Sequence, residues 1–155
     1  MATVLPDDDA PRLRVIGRVE SPLRDRADAP KQGDEGAPEA VLRFDPAVAE
    51  GLGDLAPGAD ILVLTWLDRA ERDVLRVRPR DDPARAETGV FSTRSPDRPN
   101  PLGLHPVRVL AVEGTVVRVA ELEALDGTPI VDVKPVLGTL ADRCHPADPE
   151  SPSYR

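Results

Sequence analysis

Between Gly89 and Leu110 the chain reads GVFSTRSPDRPNPLGLHPVRVL, and this stretch concentrates the residue types that bind charged ligands. Arg94 and Arg98 carry planar guanidinium forks whose N–H donors match carboxylate or phosphate oxygens. Pro96, Pro99, Pro101 and Pro106 fix φ and remove backbone donors. Each also pushes the residue before it toward extended backbone. Such a loop has few conformations to lose when a ligand arrives, so its arginines are pre-organised donors. Gly103 lets another segment or a flat ring approach closely. The plain alternative is a proline-rich surface connection with solvated arginines. Loops held on a scaffold are where function concentrates.

Other chemistries are poorly served. There are two histidines and one cysteine, with Cys144 and His145 adjacent near the C-terminus. No CxxC or HxxxH spacing occurs, so a zinc site needs scattered carboxylates, and no metal site is expected. A GxSxG nucleophile elbow is absent. So is a glycine-rich dinucleotide fingerprint after a strand.

The elements that must position the loop are short. At 155 residues the chain suits one domain, placed at 12–142 between a flexible acidic tail, 1–11, and a C-terminal tail, 143–155. Aromatics are 3 % of the residues, so the core must come from Val, Leu, Ile and Ala. Eighteen prolines favour turns and extended segments over long helices. A first strand is expected within Leu13–Val19, followed by a long polar loop, Leu23–Glu39. Val41–Phe44 reads as a strand. Asp45-Pro46 then reads as an N-cap and first turn of a short helix, Pro46–Leu52. Asp60–Leu67 is a buried strand and Val74–Val77 a short one, with Arg78–Thr88 a charged loop. Val107–Val112 and Thr115–Ala120 form a hairpin about Glu113-Gly114. Leu122–Ala124 and Ile130–Val133 flank Asp126-Gly127, a second turn, which makes the second half a β-meander. The sum is an all-β fold, a small antiparallel β-barrel with long loops and one short helix.

Net charge is −8 with a pI near 4.8, which weighs against bulk nucleic-acid binding. The charge is uneven, however. Three aspartates sit in the first ten residues and Arg69–Arg108 is arginine-rich, so a basic face on an acidic chain is open. No apolar run approaches the ~20 residues that span a bilayer. MATVLPDDDAPR lacks the regions of a secretory signal, and a lone Cys144 suits a reducing cytoplasm.

The loop is also similar to a known pattern. Gly89, Thr93–Pro96, Arg98–Pro101 and Leu102–Leu104 resemble, nearly without gaps, the signature of the TsaA-like (TrmO) family. Ile16-Gly17 and Ser21-Pro22 resemble its N-terminus. The resemblance implies a small β-barrel that binds S-adenosylmethionine, looks dimeric and methylates N6 of threonylcarbamoyl-adenosine 37 in tRNA. It implies a cofactor set of Pro30, Lys31 and Gln32, Leu67 and Asp68, Arg94, Leu104, and Leu125, Asp126, Gly127 and Thr128. Arg98 and Asn100 are the substrate-binding candidates. The chain departs from the family pattern at Lys31 for arginine, at Asp68 where a histidine is common, and at Val136 where an aromatic is usual.

Under that resemblance Arg94 holds a carboxylate or orders the loop, Asp126 meets amino or ribose groups, and Leu104 and Leu125 wall an adenine. Leu104 and Leu125 are equally plain core, and Asp126-Gly127 is a good turn without a ligand. Methyl transfer to a weakly nucleophilic N–H needs a proton acceptor. His105 and Asp68 are the catalytic candidates, although a histidine at a strand start is also ordinary packing. Three functions remain in play: methylation of a tRNA base with phosphate contacts from Arg69, Arg72, Arg76, Arg78 and Arg80, methylation of a small acidic or amine substrate, and non-catalytic cofactor binding.

Overall fold

A computed structural model describes residues 10–79 and 82–138. Arg80, Cys144 and His145, and most of both expected tails, lie outside the described residues. Eight strands are present among them: β1 Gly17–Glu20, β2 Ala40–Phe44, β3 Asp60–Trp66, β4 Arg76–Val77, β5 Thr88–Gly89, β6 Leu102–Glu113, β7 Val116–Val119 and β8 Pro129–Pro135. Six of them close a barrel in the order β1-β2-β7-β6-β3-β8, every pair antiparallel. β4 and β5 form a separate two-stranded ribbon beside it.

Alternation decides which side chains fill the barrel. In β3, Ile61, Val63 and Thr65 point inward, and in β6 Gly103, His105, Val107 and Val109 do the same. The core is aliphatic, as the scarcity of aromatics requires: Val19, Leu42, Val63, Val109, Val117, Val119, Leu122 and Ile130 are almost fully buried. The expected short helix winds as a 3₁₀ helix over Pro46–Leu52, with the Ala47 N–H donating to Asp45 Oδ1 at 2.9 Å.

Three expectations need correction. β1 starts at Gly17 rather than in the Leu13 region. Leu13 and Val15 are exposed, and Gly17 is where the chain tucks under β2, since a Cβ there would lie 2.6 Å from the Arg43 carbonyl. β6 begins at Leu102 and runs through Pro106. Its first half pairs with β3 alone, so a missing proline N–H costs no second ladder. The second half is not a meander. Glu121 takes a positive φ of 53° and turns the chain out of register. Leu122 then donates its N–H to Pro38 at 3.1 Å and plugs the barrel end. β8 crosses over to lie between β3 and β1, closing the barrel at Gly17↔Ile130. Asp126-Gly127 is a turn, with the Thr128 N–H on the Leu125 carbonyl at 3.1 Å, yet it does not join two paired strands.

Candidate functional site

At the Thr65 end of β3 the strand ladder is irregular. β8 inserts an extra residue between its partners of Leu64 and Thr65. Such a bulge bends the strand and re-aims neighbouring side chains. Here three loops converge: Leu23–Glu39, the segment after β3, and the signature loop before β6. They surround a cleft of about 200 Å³.

The signature loop braces itself. Arg98 Nε donates to the Ser95 carbonyl at 2.7 Å, and its Nη2 donates to the Thr93 and Val90 carbonyls at 2.6 and 3.0 Å. The guanidinium is thus spent on its own backbone. Asp97 Oδ1 accepts the Glu71 N–H at 2.9 Å and Oδ2 accepts from Arg26 at 3.2 Å. Burial raises the Asp97 carboxyl, but the Glu71 N–H and the Arg26 guanidinium outweigh it and hold the group below its ordinary 3.8. Arg72 donates to the Pro99 carbonyl at 2.8 Å and to Asn100 Oδ1 at 3.2 Å, while its guanidinium lies 5.1 Å from the centre of the Trp66 ring. Prolines stiffen the loop, and these contacts fix where it points.

Of the expected cofactor residues, Pro30, Lys31, Gln32, Leu67, Asp68, Arg94, Leu104, Leu125 and Thr128 all line the cleft. Arg94 and Asp68 are exposed, and among the described residues no hydrogen bond or ion pair occupies either. Arg98 and His105 also reach the wall. The structure does not bring Asp126, Gly127 or Asn100 there. The Asp126 carboxylate accepts the Ser21 N–H at 3.0 Å, and its own N–H donates to Leu23 at 2.7 Å. It pins the chain leading into the Pro30–Gln32 loop. Gly127, at φ +82°, serves the turn. Asn100 serves Arg72.

His105 is 4 % exposed and both ring nitrogens are engaged. Nε2 lies 2.7 Å from Thr65 Oγ1 and Nδ1 lies 2.5 Å from Glu123 Oε1. With the ring neutral, Nδ1–H donates to Glu123 and the Thr65 O–H donates to Nε2, so each of these buried polar atoms has a partner. Both ring nitrogens of His105 are thus turned to partners within the protein. The flat ring that approaches Gly103 is this imidazole. A Cβ on Gly103 would lie 2.5 Å from His105 Nε2 and overlap Thr65 Oγ1.

Glu123 was not expected from the sequence. It sits between buried Leu122 and Ala124, with its side chain 15 % exposed to the cleft. An acid alternating with buried apolar residues in ELEAL was the available signal. Gly33 lies against this segment, since a Cβ there would overlap the Glu121 carbonyl and lie 3.2 Å from Glu123 Oε2. A second recess of about 480 Å³ adjoins the cleft, shares Arg26, Lys31, Gln32, Arg94, Pro96 and Leu104 with it, and runs along Leu62 and Pro106.

Among the described residues no group of three His, Cys, Asp or Glu side chains is placed to hold a metal, and no helix is long and apolar enough to cross a membrane.

Comparison with known proteins gives consistent matches. A "Probable S-adenosyl-L-methionine-binding protein" of Methanothermobacter thermautotrophicus is 46 % identical over 124 residues, 80 % of this chain and 88 % of its own length. Another of the same description from Archaeoglobus fulgidus is 43 % identical over 129 residues, 83 % of this chain and 35 % of its own length. A crystal structure of TrmO from P. aeruginosa superposes with a TM-score of 0.67 at 26 % identity, covering 86 % of this chain and 59 % of that one. A further TrmO crystal structure gives 0.69 at 26 % identity, covering 93 % and 65 %. The chain thus spans about a third of that Archaeoglobus relative and under two thirds of these TrmO chains. The model of the tRNA-methyltransferase O N-terminal domain matches residues 18–142, which take in the whole barrel past Gly17 and every loop around the cleft, and the chain belongs to this TrmO N-terminal domain family.

Proposed function

We propose that the cleft binds S-adenosylmethionine and that the chain transfers its methyl group to an adenine amine of tRNA, N6 of threonylcarbamoyl-adenosine 37. The observation that carries this is the gathering of an unpaired guanidinium, two carboxylates and apolar walls in one cleft. The cofactor's amino-acid end is a zwitterion, its sulfonium is a cation and its adenine needs an apolar slot, so the residues present fit the group. Arg94 holds the carboxylate, and Leu104 and Leu125 wall the ring. When bound, the sulfonium supplies an activated methyl carbon. The protein's part is alignment, which is worth on the order of 7–11 kcal/mol at best. Asp68, unpaired beside the cleft, takes the proton leaving the acceptor nitrogen. A homodimer is part of this proposal. Phe91, 81 % exposed, and Leu75, 62 % exposed, are apolar side chains that a second copy would cover, and sedimentation velocity checks it.

A second reading, a small acidic or amine acceptor in place of tRNA, is favoured by two observations. The chain carries −8. Many of its arginines are engaged within the molecule: Arg69 on Arg24, Arg72 on Pro99, Arg76 on Glu87 and Arg78 on Arg85. The deciding experiment incubates the protein with methyl-labelled donor and bulk tRNA, then digests the tRNA to nucleosides. Label in a methylated threonylcarbamoyl-adenosine is the expected result. Donor binding without label in any nucleoside sinks the tRNA proposal and leaves a small acceptor or non-catalytic binding.

A further inference from the structure

The geometry points to Glu123 as the residue by which the cleft distinguishes a cationic methyl donor from its neutral, demethylated thioether product. This rests on the proposal that the cleft binds S-adenosylmethionine, and it goes further by giving one buried carboxylate a selective role.

Two acids line the cleft, and they differ in kind. Asp68 is exposed. Glu123 is mostly buried and held in one place: Oε1 is fixed at 2.5 Å by His105 Nδ1, and His105 is fixed at 2.7 Å by Thr65. Among the described residues no hydrogen bond occupies Glu123 Oε2, so one oxygen of this held carboxylate is left for an occupant of the cleft. Gly103, Ala124 and Leu125 line the cleft with it, and a Cβ on Gly33 would lie 3.2 Å from its Oε2. A fixed charge in such a place acts more strongly on an occupant than one in water.

The order of groups along the ligand then places the contact. The ligand's carboxylate and ammonium share one carbon, so both lie beside Arg94, which is exposed and common to the cleft and the adjoining recess. The adenine lies between Leu104 and Leu125. The sulfur is between those two ends, and Glu123 is the mostly buried acid of the same cleft. A sulfonium donates no hydrogen bond, so a carboxylate already tied to an imidazole can stabilise it through charge alone. Once the methyl has left, sulfur is neutral, and Glu123 no longer holds the product.

The test compares three ligands by calorimetric titration: S-adenosylmethionine, S-adenosylhomocysteine, and sinefungin, which carries an ammonium where the donor carries sulfonium. Wild-type protein should bind both cationic ligands at least roughly tenfold more tightly than the thioether, a factor a partly screened charge pair supplies readily. Glu123→Gln keeps the shape and an acceptor for His105, and it should erase that preference by weakening the cationic ligands only. Arg94→Ala should weaken all three together, because their carboxylate is common. Parallel loss of all three in Glu123→Gln, or an unchanged preference, overturns the proposal. If Glu123→Gln does not fold, the wild-type comparison still decides, since equal binding of sinefungin and S-adenosylhomocysteine refutes it. Failure of wild-type protein to bind any of the three instead refutes the proposed cofactor.

Discussion

Asp97 accepts the backbone N–H of Glu71 at 2.9 Å, and the next residue, Arg98, returns its own N–H to the Glu71 carbonyl at 3.0 Å. This reciprocal pair ties the signature loop to the segment after β3. Asp97→Ala should lower unfolding free energy by about 1–3 kcal/mol, the cost of orphaning such partners. The folded carboxyl lies below its ordinary 3.8, so its stabilisation is full above that value and fades as pH falls through the folded one. Urea unfolding of both proteins across a pH series should show a constant gap above about pH 5 that closes as pH falls below the ordinary carboxylate range.

Arg94 and Arg98 are four residues apart and should behave differently. Arg98→Lys loses a fork that reaches three carbonyls. It should speed hydrogen exchange of the backbone amides between Val90 and Arg98 and lower the melting temperature by a few degrees. Arg94→Ala should leave the melting temperature unchanged and weaken donor binding by roughly tenfold or more, as the loss of a charge-assisted hydrogen bond does. Melting and titration on the same two variants separate bracing from binding.

Gly103→Ala places a methyl against Thr65 Oγ1 and His105 Nε2. These atoms are buried and hydrogen-bonded to each other, so they cannot swing into solvent. Overpacking of this kind costs about 1–3 kcal/mol, measurable by chemical denaturation. Donor affinity should fall too, because His105 can no longer hold Glu123 in place.

Asp126→Ala should act at a distance. Its carboxylate anchors the Ser21 N–H and lies outside the cleft. Removing it frees the segment leading into Pro30–Gln32. Donor affinity should fall several-fold with faster exchange at Ser21 and Leu23. A direct ligand contact would instead weaken binding without changing that exchange.

What could be read from the residues was mostly local. The bulky and β-branched apolar run in DILVLTW gave β3, the Asp45-Pro46 cap gave the short helix, and Glu113-Gly114 gave the β6–β7 turn. The signature loop marked the cleft, because its prolines and arginines are chemically unusual together. Pairing over long separations was not legible. Nothing in Leu122–Val133 announces that Glu121 turns left-handed and sends β8 to β1 and β3. Side-chain direction was also hidden. The sequence does not show that Arg98 reaches three carbonyls of its own loop, or that Thr65 and Glu123 stand at the two nitrogens of His105. Both depend on contacts that only the closed fold creates.

The four-residue strand Gly17–Glu20 is hydrogen-bonded to Ala40–Phe44 on one flank and to Pro129–Pro135 on the other. Its loss would uncover two rows of unpaired amides and carbonyls at once, templates for adding strands from other molecules. A truncation ending at Glu20 should therefore aggregate, whereas one ending before Ile16 should stay dispersed, and the seam nearest the start of the domain guards its solubility.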